Sequence, residues 1–279
     1  MASRQSGRDM TETRLTPPAT RPGAPGWAVR LTGVSKAYRA GPAQLLALDD
    51  VSLTVRDGEF VCLIGASGCG KSTLLRIVAG FESPTRGQAF MSGAPIGGPG
   101  PERGMVFQDY GLFPWLTVRG NIGFGPISRK RPADEVKQTI DRFIALVGLQ
   151  RFADAYPHQL SGGMKQRVAI ARVLANDAKA VLMDEPFGAL DAMTREHLQD
   201  ELLEIWERTG LTVLFVTHSI EEAIFLADRI VVMSPGPGRI ESEVTVPLPR
   251  PRDVVTPEFN AIRRELSLKL HSHHARKAA

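Results

Sequence analysis

The chain has 279 residues, of which 43% are hydrophobic and 23% charged, an ordinary balance for one large domain, or a domain with a subdomain, around a sizeable core. Its net charge of +4 sits at the ends: residues 1–27 carry +2, residues 250–279 carry +4, and the body between them is left at −2. A slightly acidic body argues against a basic groove for nucleic acid, and Cys62 and Cys69 alone make no disulfide framework.

Residues 1–27 are polar and rich in Pro and Arg. Without an apolar h-region they do not read as a secretory signal, and they bury too little to offset the entropy of ordering, so a disordered tail is expected. No run approaches the roughly 18 apolar residues that span a bilayer, and a soluble cytoplasmic protein is the default. Beyond Trp27, Val51, Leu53 and Val55 alternate onto one strand face, Asp57-Gly58 makes a turn, and residues 60–64 form the continuous apolar run of a buried strand. A helix is predicted over 71–79, ended by Gly80. Short strands are expected at 89–91 and 105–107. From about 117 to 175 the pattern is helical, with Val136, Ile140, Phe143, Ile144 and Val147 at helical spacing. Strands at 179–183, 211–217 and 229–233 then alternate with helices at 192–208 and 219–227, which implies a parallel sheet covered on both faces. After the turn SPGPGR a final strand is expected, and Thr256-Pro257 opens a helix with Phe259, Ile262, Leu266 and Leu270 on one face.

Gly65-Ala66-Ser67-Gly68-Cys69-Gly70-Lys71-Ser72 lies between the apolar strand and the first helix and fits G-x-x-x-x-G-K-[ST]. Gly65, Gly68 and Gly70 let backbone N–H groups turn inward around phosphates, and the helix N-terminus adds partial positive charge. Lys71 is expected to reach the β- and γ-phosphates of ATP and Ser72 to ligate Mg²⁺. Ser67, Cys69 and Thr73 complete the nucleotide-binding set, and a cysteine in this loop predicts thiol-sensitive activity. Asp184 ends the apolar run 180–183, where an acid is costly unless it meets a cation, and it reads as the second Mg²⁺ contact. Glu185 points to the other side of the strand and reads as the general base for a water in line with the γ-phosphate.

LSGGMKQR, Leu160 to Arg167, together with VLMDEP and Thr217-His218, resembles the ATP-binding-cassette ATPases across nearly all of residues 28–246. The resemblance implies an α/β P-loop NTPase fold with a parallel core sheet, an N-terminal antiparallel β subdomain and a helical insertion. The ATPase domain would span 28–250, with the helical subdomain at about 115–175 and a C-terminal amphipathic helix and basic tail over 251–279. It implies that Tyr38 stacks on adenine, that Gln108 senses Mg²⁺ and the attacking water while facing a transmembrane partner, and that His218 contacts the γ-phosphate. Ser161, Gly162 and Gly163, at the start of a helix, would bind the ATP of a second subunit in trans, and Asp191 would cross the same boundary. A head-to-tail homodimer then buries two ATP molecules. Met164 stands where the family more often has Gln, which removes the reciprocal bond of a capping box and leaves the serine and glycines in place.

The strings GPGPERGMVFQ, FPWLTV, EPFGALDAMTRE, SPGPGR and PRPRD resemble most closely the ATPase subunits of importers for nitrate, sulfonates and taurine. That implies two separate membrane permease subunits, an extracytoplasmic solute-binding protein, a peripheral place on the cytoplasmic face of the inner membrane, and no nucleic-acid partner. Phe113 and Trp115, just after Gln108, suit a groove that accepts a partner helix. The alternatives are an importer of another solute, such as a pyrimidine or vitamin precursor, and a non-transport cassette ATPase.

Overall fold

The computed structural model describes residues 26–40, 43–107, 109–188 and 190–277. All of the expected N-terminal tail but its last two residues lies outside them, as does Gln108. Trp27 opens strand β1 (Trp27–Ala40), which pairs antiparallel with β2 (Ala43–Arg56). The chain continues through β3 (Phe60–Gly65), α1 (Lys71–Ala79), β4 (Arg86–Met91), β5 (Ala94–Pro95) and β6 (Arg103–Val106). Three helices follow, α2 (Val118–Ser128), α3 (Ala133–Leu146) and α4 (Gly162–Leu174). The rest alternates: β7 (Ala180–Asp184), α5 (Ala192–Thr209), β8 (Thr212–Val216), α6 (Ile220–Leu226), β9 (Arg229–Met233), β10 (Ile240–Thr245) and α7 (Pro257–Lys277).

Two sheets result. The first is antiparallel, in the order β2-β1-β4-β5; the second runs β10-β9-β3-β8-β7-β6, parallel throughout except for β10 at its edge. This is the expected parallel core sheet, antiparallel β subdomain and helical insertion. β3 lies inside the parallel sheet and is buried along its whole length. Its alternation divides the core: Phe60, Cys62 and Ile64 join the cluster beneath α2 to α7, whereas Val61 and Leu63 join α1 and the antiparallel sheet, including Val51, Leu53 and Val55. Phe60 is fully buried, with ring centroids 5.9 Å from both Trp206 and Phe215, so truncation to Ala would cost about 3–5 kcal/mol.

Helix ends follow the chemistry of their sequences. Gly80 closes α1 in the left-handed region, Gly210 closes α5 in the same way, and Thr117 and Asp191 cap α2 and α5 by accepting from Gly120 N and Thr194 N. β6 differs from expectation by starting at Arg103, because Gly104 is a strand residue under α4: a Cβ there would lie 2.2 Å from Val173 Cγ1. In α7, Phe259 and Leu266 are fully buried, and Ile262 and Leu270 pack partly buried on the same cluster. The face expected from their spacing is the face that docks.

Candidate functional site

The first group of candidate residues gathers at the carboxyl ends of β3, β7 and β8. There β3 stops at Gly65 and the loop returns into α1, whose N-cap is Gly70 at φ 92°. A Cβ on Gly70 would lie 2.5 Å from Leu48 Cδ2, so both space and backbone conformation demand glycine. Gly70 offers no side-chain cap and the first turn of α1 holds no acid, which leaves the leading N–H groups and the positive end of the helix dipole for an anion. Gly68, at φ 77°, turns through open space. Lys71 is buried and its Nζ donates to Gly65 O (2.8 Å) and Ala66 O (3.0 Å). These are neutral acceptors, which an anionic oxygen would outbid. Cys69 is fully buried, its Sγ 3.7 Å from Lys71 Nζ, so the thiol faces the core and not the loop's mouth. The expectation of ready thiol sensitivity is corrected on that ground.

Asp184 and Glu185 are neighbours that address different partners. Ser72 Oγ donates to Asp184 Oδ1 at 2.9 Å, and burial, reinforced by Glu185, raises the Asp184 carboxyl above its ordinary range. A hydroxyl and a burdened carboxylate, both hard oxygen donors, fit Mg²⁺. Among the described residues no cluster of three or more His, Cys, Asp or Glu could hold a metal. Glu185 adopts φ 47°, a left-handed conformation of order 1–3 kcal/mol in cost, and is held there by its N–H to Val216 O (3.0 Å) and by Gly188 N (3.1 Å). Its Oε2 lies 3.1 Å from His218 Nδ1.

Tyr38 is half-buried beside α1. Its hydroxyl donates to Glu82 Oε2 and interacts with Thr73, and Lys36 Nζ sits 5.1 Å from the ring centroid while pairing with Glu82 at 3.1 Å. Burial and Glu82 raise the Tyr38 phenol. The ring is thus held firmly at the edge of the phosphate loop's helix.

A second group stands apart from the first. Ser161 is exposed and caps α4, its Oγ accepting from Met164 N at 3.3 Å, so one half of the capping box survives the methionine. A Cβ on Gly162 would meet Leu190 Cδ2 and Tyr110 Oη at 3.2 Å, and one on Gly163 would meet Leu198 Cδ2 at 3.0 Å. Asp191 caps α5 through Thr194 N at 3.0 Å, which lowers its carboxyl, and Arg195 Nη2 holds Leu190 O at 2.9 Å. Among the described residues no hydrogen bond or ion pair joins Ser161, Gly162, Gly163 or Asp191 to the phosphate loop. The chain thus presents a Gly-rich loop leading into α1 and, apart from it, an exposed helix start at Ser161.

Residues 48–188 match the ABC transporter family. The chain belongs to that family. Among its relatives are the taurine import ATP-binding protein TauB of Roseobacter denitrificans, 52% identical over 201 residues (72% of this chain, 75% of TauB), and the nitrate import ATP-binding protein NrtD of Synechocystis sp., 46% identical over 237 residues (85% and 89%). The dimeric post-hydrolysis structure of the ATP-binding cassette MJ0796, bound to ADP and Pi, superposes with a TM-score of 0.67 at 35% identity, covering 78% of this chain and 98% of that one. The fold is thus that of the ABC ATPase cassettes.

Sequence reasoning missed several residues that organise this ATPase. Asn121 is fully buried: its Oδ1 accepts from Phe113 N (2.9 Å) and its Nδ2 donates to Phe113 O, Leu116 O and Thr117 O, fixing the FPWLT loop. Arg172 of α4 donates to Gly111 O (2.7 Å) and stacks its guanidinium 5.2 Å from the Phe113 ring. Between them lies a groove of about 340 Å³ lined by Met105, Phe107, Phe113, Phe124, Arg172 and Val173, with Trp115 beside Phe113 and 69% exposed. Glu222 is buried behind His218, accepting from Gln199 Nε2 at 3.0 Å; burial raises its carboxyl against the hydrogen bonds from Thr217 and Gln199. Only Asn121, an amide four residues after a capping threonine, carried a local signal.

Proposed function

We propose that the chain is the ATP-hydrolysing subunit of an importer for a small anionic solute of the sulfonate, taurine or nitrate type. It works as a homodimer with two membrane permease subunits on the cytoplasmic face of the membrane, fed by an extracytoplasmic solute-binding protein. The observation that carries the reading is the division into two phosphate-binding groups, a complete loop with its carboxylates and an exposed helix start at Ser161. Relatives named for taurine and nitrate import support the solute class, and no helix among the described residues is long and apolar enough to cross a membrane.

In this reading the loop N–H groups and Lys71 hold the phosphates, with Ser67, Gly68, Gly70 and Thr73 around them and Tyr38 against the base. Ser72 and Asp184, together with Gln108, would hold Mg²⁺, which would supply positive charge against the phosphate oxygens. Glu185 takes a proton from the attacking water, and His218, hydrogen-bonded to Glu185, keeps that carboxylate aligned and contacts the γ-phosphate. Ser161, Gly162 and Gly163 donate to the γ-phosphate held by the partner's loop, and Asp191 lies at the same boundary. The aromatic groove beside Phe113 and Trp115 receives a helix of the permease.

The test is transport in proteoliposomes containing the chain, its permease and its binding protein, with labelled taurine, an alkanesulfonate and nitrate. ATP-dependent uptake of one of them, with ATP hydrolysis stimulated by the loaded binding protein, is expected. Stimulation by none of the three, in vesicles that hydrolyse ATP, would remove the solute assignment.

A further inference from the structure

Helix α6 starts two residues after His218, with Ser219 as its N-cap, and has only seven residues. A helix end leaves its last carbonyls without intrahelical partners. Here Ala227 is extended (φ −82°, ψ 149°), so no left-handed cap turns back to satisfy them. Ala223 O is met by Ala227 N at 3.0 Å. The others are met from a distant part of the chain: Arg252 Nη1 donates to Ile224 O (2.6 Å), Phe225 O (3.2 Å) and Ala227 O (2.7 Å), and Arg250 Nη2 donates to Leu226 O (2.5 Å).

Both arginines belong to the PRPRD string, which lies beyond the 48–188 family match. Arg252 is buried, and its remaining donors reach Leu248 O (3.1 Å) and Val246 O (3.4 Å). Among the described residues it has no carboxylate at ion-pair distance. Its positive charge is set against the negative end of the α6 dipole. Burial and the neighbouring Arg250 lower Arg252 to about 10, which leaves it charged at neutral pH. Arg250 is anchored in turn, by Asp228 Oδ1 at 2.8 Å and by the Trp206 ring 4.5 Å from its guanidinium carbon. Asp228 Oδ2 accepts from Phe60 N at 2.9 Å, so the anchor reaches β3, the strand that leads into the phosphate loop.

We propose that Arg252, assisted by Arg250, is a positioning residue for ATP hydrolysis: by tying the last turn of α6 to the core it holds His218, at the other end of that helix, in register with Glu185. A seven-residue helix is too short to hold itself in water, so its orientation is set by what grips its ends. The N-terminal contact between Arg263 and Glu221 is exposed and contributes little. The buried Glu222, accepting from Gln199 Nε2, holds the first turn to α5, and the two arginines hold the last turn. The inference rests on the reading of His218 and Glu185 as the hydrolytic pair.

Arg252→Lys keeps the charge but loses the planar guanidinium that meets Ile224 O, Phe225 O and Ala227 O through Nη1 while Nε and Nη2 reach Leu248 O and Val246 O. In the full-length protein its KM for ATP is expected within twofold of wild type, since Lys71, Ser72 and Tyr38 are on other elements. Its kcat is expected to fall about 10- to 100-fold, the scale of a small misplacement of a catalytic group. Imidazole ¹⁵N spectra, with His218 assigned among the six histidines by comparison with His218→Ala, are expected to shift for His218. Should Arg252→Lys fail to fold, Arg250→Lys, which disturbs a single helix carbonyl, is read in the same way with a smaller fall in kcat. A lowered Tm with kcat and the His218 resonances unchanged would overturn the proposal. His218→Ala separates the two ideas: if it retains turnover, the reading of His218 fails; if it loses turnover while both arginine variants keep theirs, the clamp alone fails.

Discussion

His218 Nδ1 lies 3.1 Å from Glu185 Oε2, and Glu185 reaches that contact only by adopting φ 47° at the end of β7. An ordinary strand continuation would turn the carboxylate elsewhere. Backbone strain and a side-chain hydrogen bond thus converge on one carboxylate, while its neighbour Asp184 is engaged by Ser72. Glu185→Gln keeps the shape and removes the base. ATP binding is expected to persist, turnover to fall about 10²- to 10⁴-fold, and the dimer to accumulate with MgATP. ATPase assay and gel filtration check both; normal turnover would remove Glu185 from its role.

Glu222 gives a pH signature. Burial raises its carboxyl above the usual 4.5, so the folded state binds its proton more tightly than the unfolded state does. Stability is then greatest below pH 4.5 for this group and declines as pH rises through its folded value. Glu222→Gln can still accept from Gln199, and it carries no charge to bury. Its Tm advantage over wild type is expected to grow as pH is raised from 4.5 (measured by thermal melts), and a constant difference would contradict the assignment.

Trp115 is 69% exposed yet sits beside the groove formed by Phe107, Phe113 and Phe124. Trp115→Ala is expected to change stability by no more than about 0.5 kcal/mol, as exposed substitutions do. Its effect falls on the partner, where an aromatic anchor is worth about 2 kcal/mol or more. Co-purification with the permease and its stimulation of ATP hydrolysis should both drop while basal hydrolysis is kept.

Much of this was legible beforehand for physical reasons. The strand of residues 60–64 announced itself because a segment buried on both faces has no polar face to show, and the end of α1 because Gly80 takes the left-handed conformation that closes a helix. The phosphate loop, its carboxylates and LSGGMKQR were legible as local strings. What stayed hidden depends on contacts made at long range. Gly104 looks like a loop glycine until Val173 of α4 is seen against it. Cys69 sits in a solvent-facing loop by position, but its side chain turns inward beneath Lys71. Arg252 lies in a proline-rich stretch that reads as surface, and only the fold brings it to the carbonyls of Ile224, Phe225 and Ala227, more than 20 positions earlier.

The central claim is that Ser161 completes a site whose loop belongs to the other chain. Lys71→Ala disables the loop and Ser161→Ala the exposed helix start, and each variant alone is expected to hydrolyse ATP poorly. Mixed, they form heterodimers in which the intact loop of one chain faces the intact Ser161 of the other, and ATPase activity should return well above the sum of the separate variants. If the mixture shows no more than that sum while heterodimers are demonstrably present, Ser161 acts within its own chain or not at all, and the two-chain site is wrong.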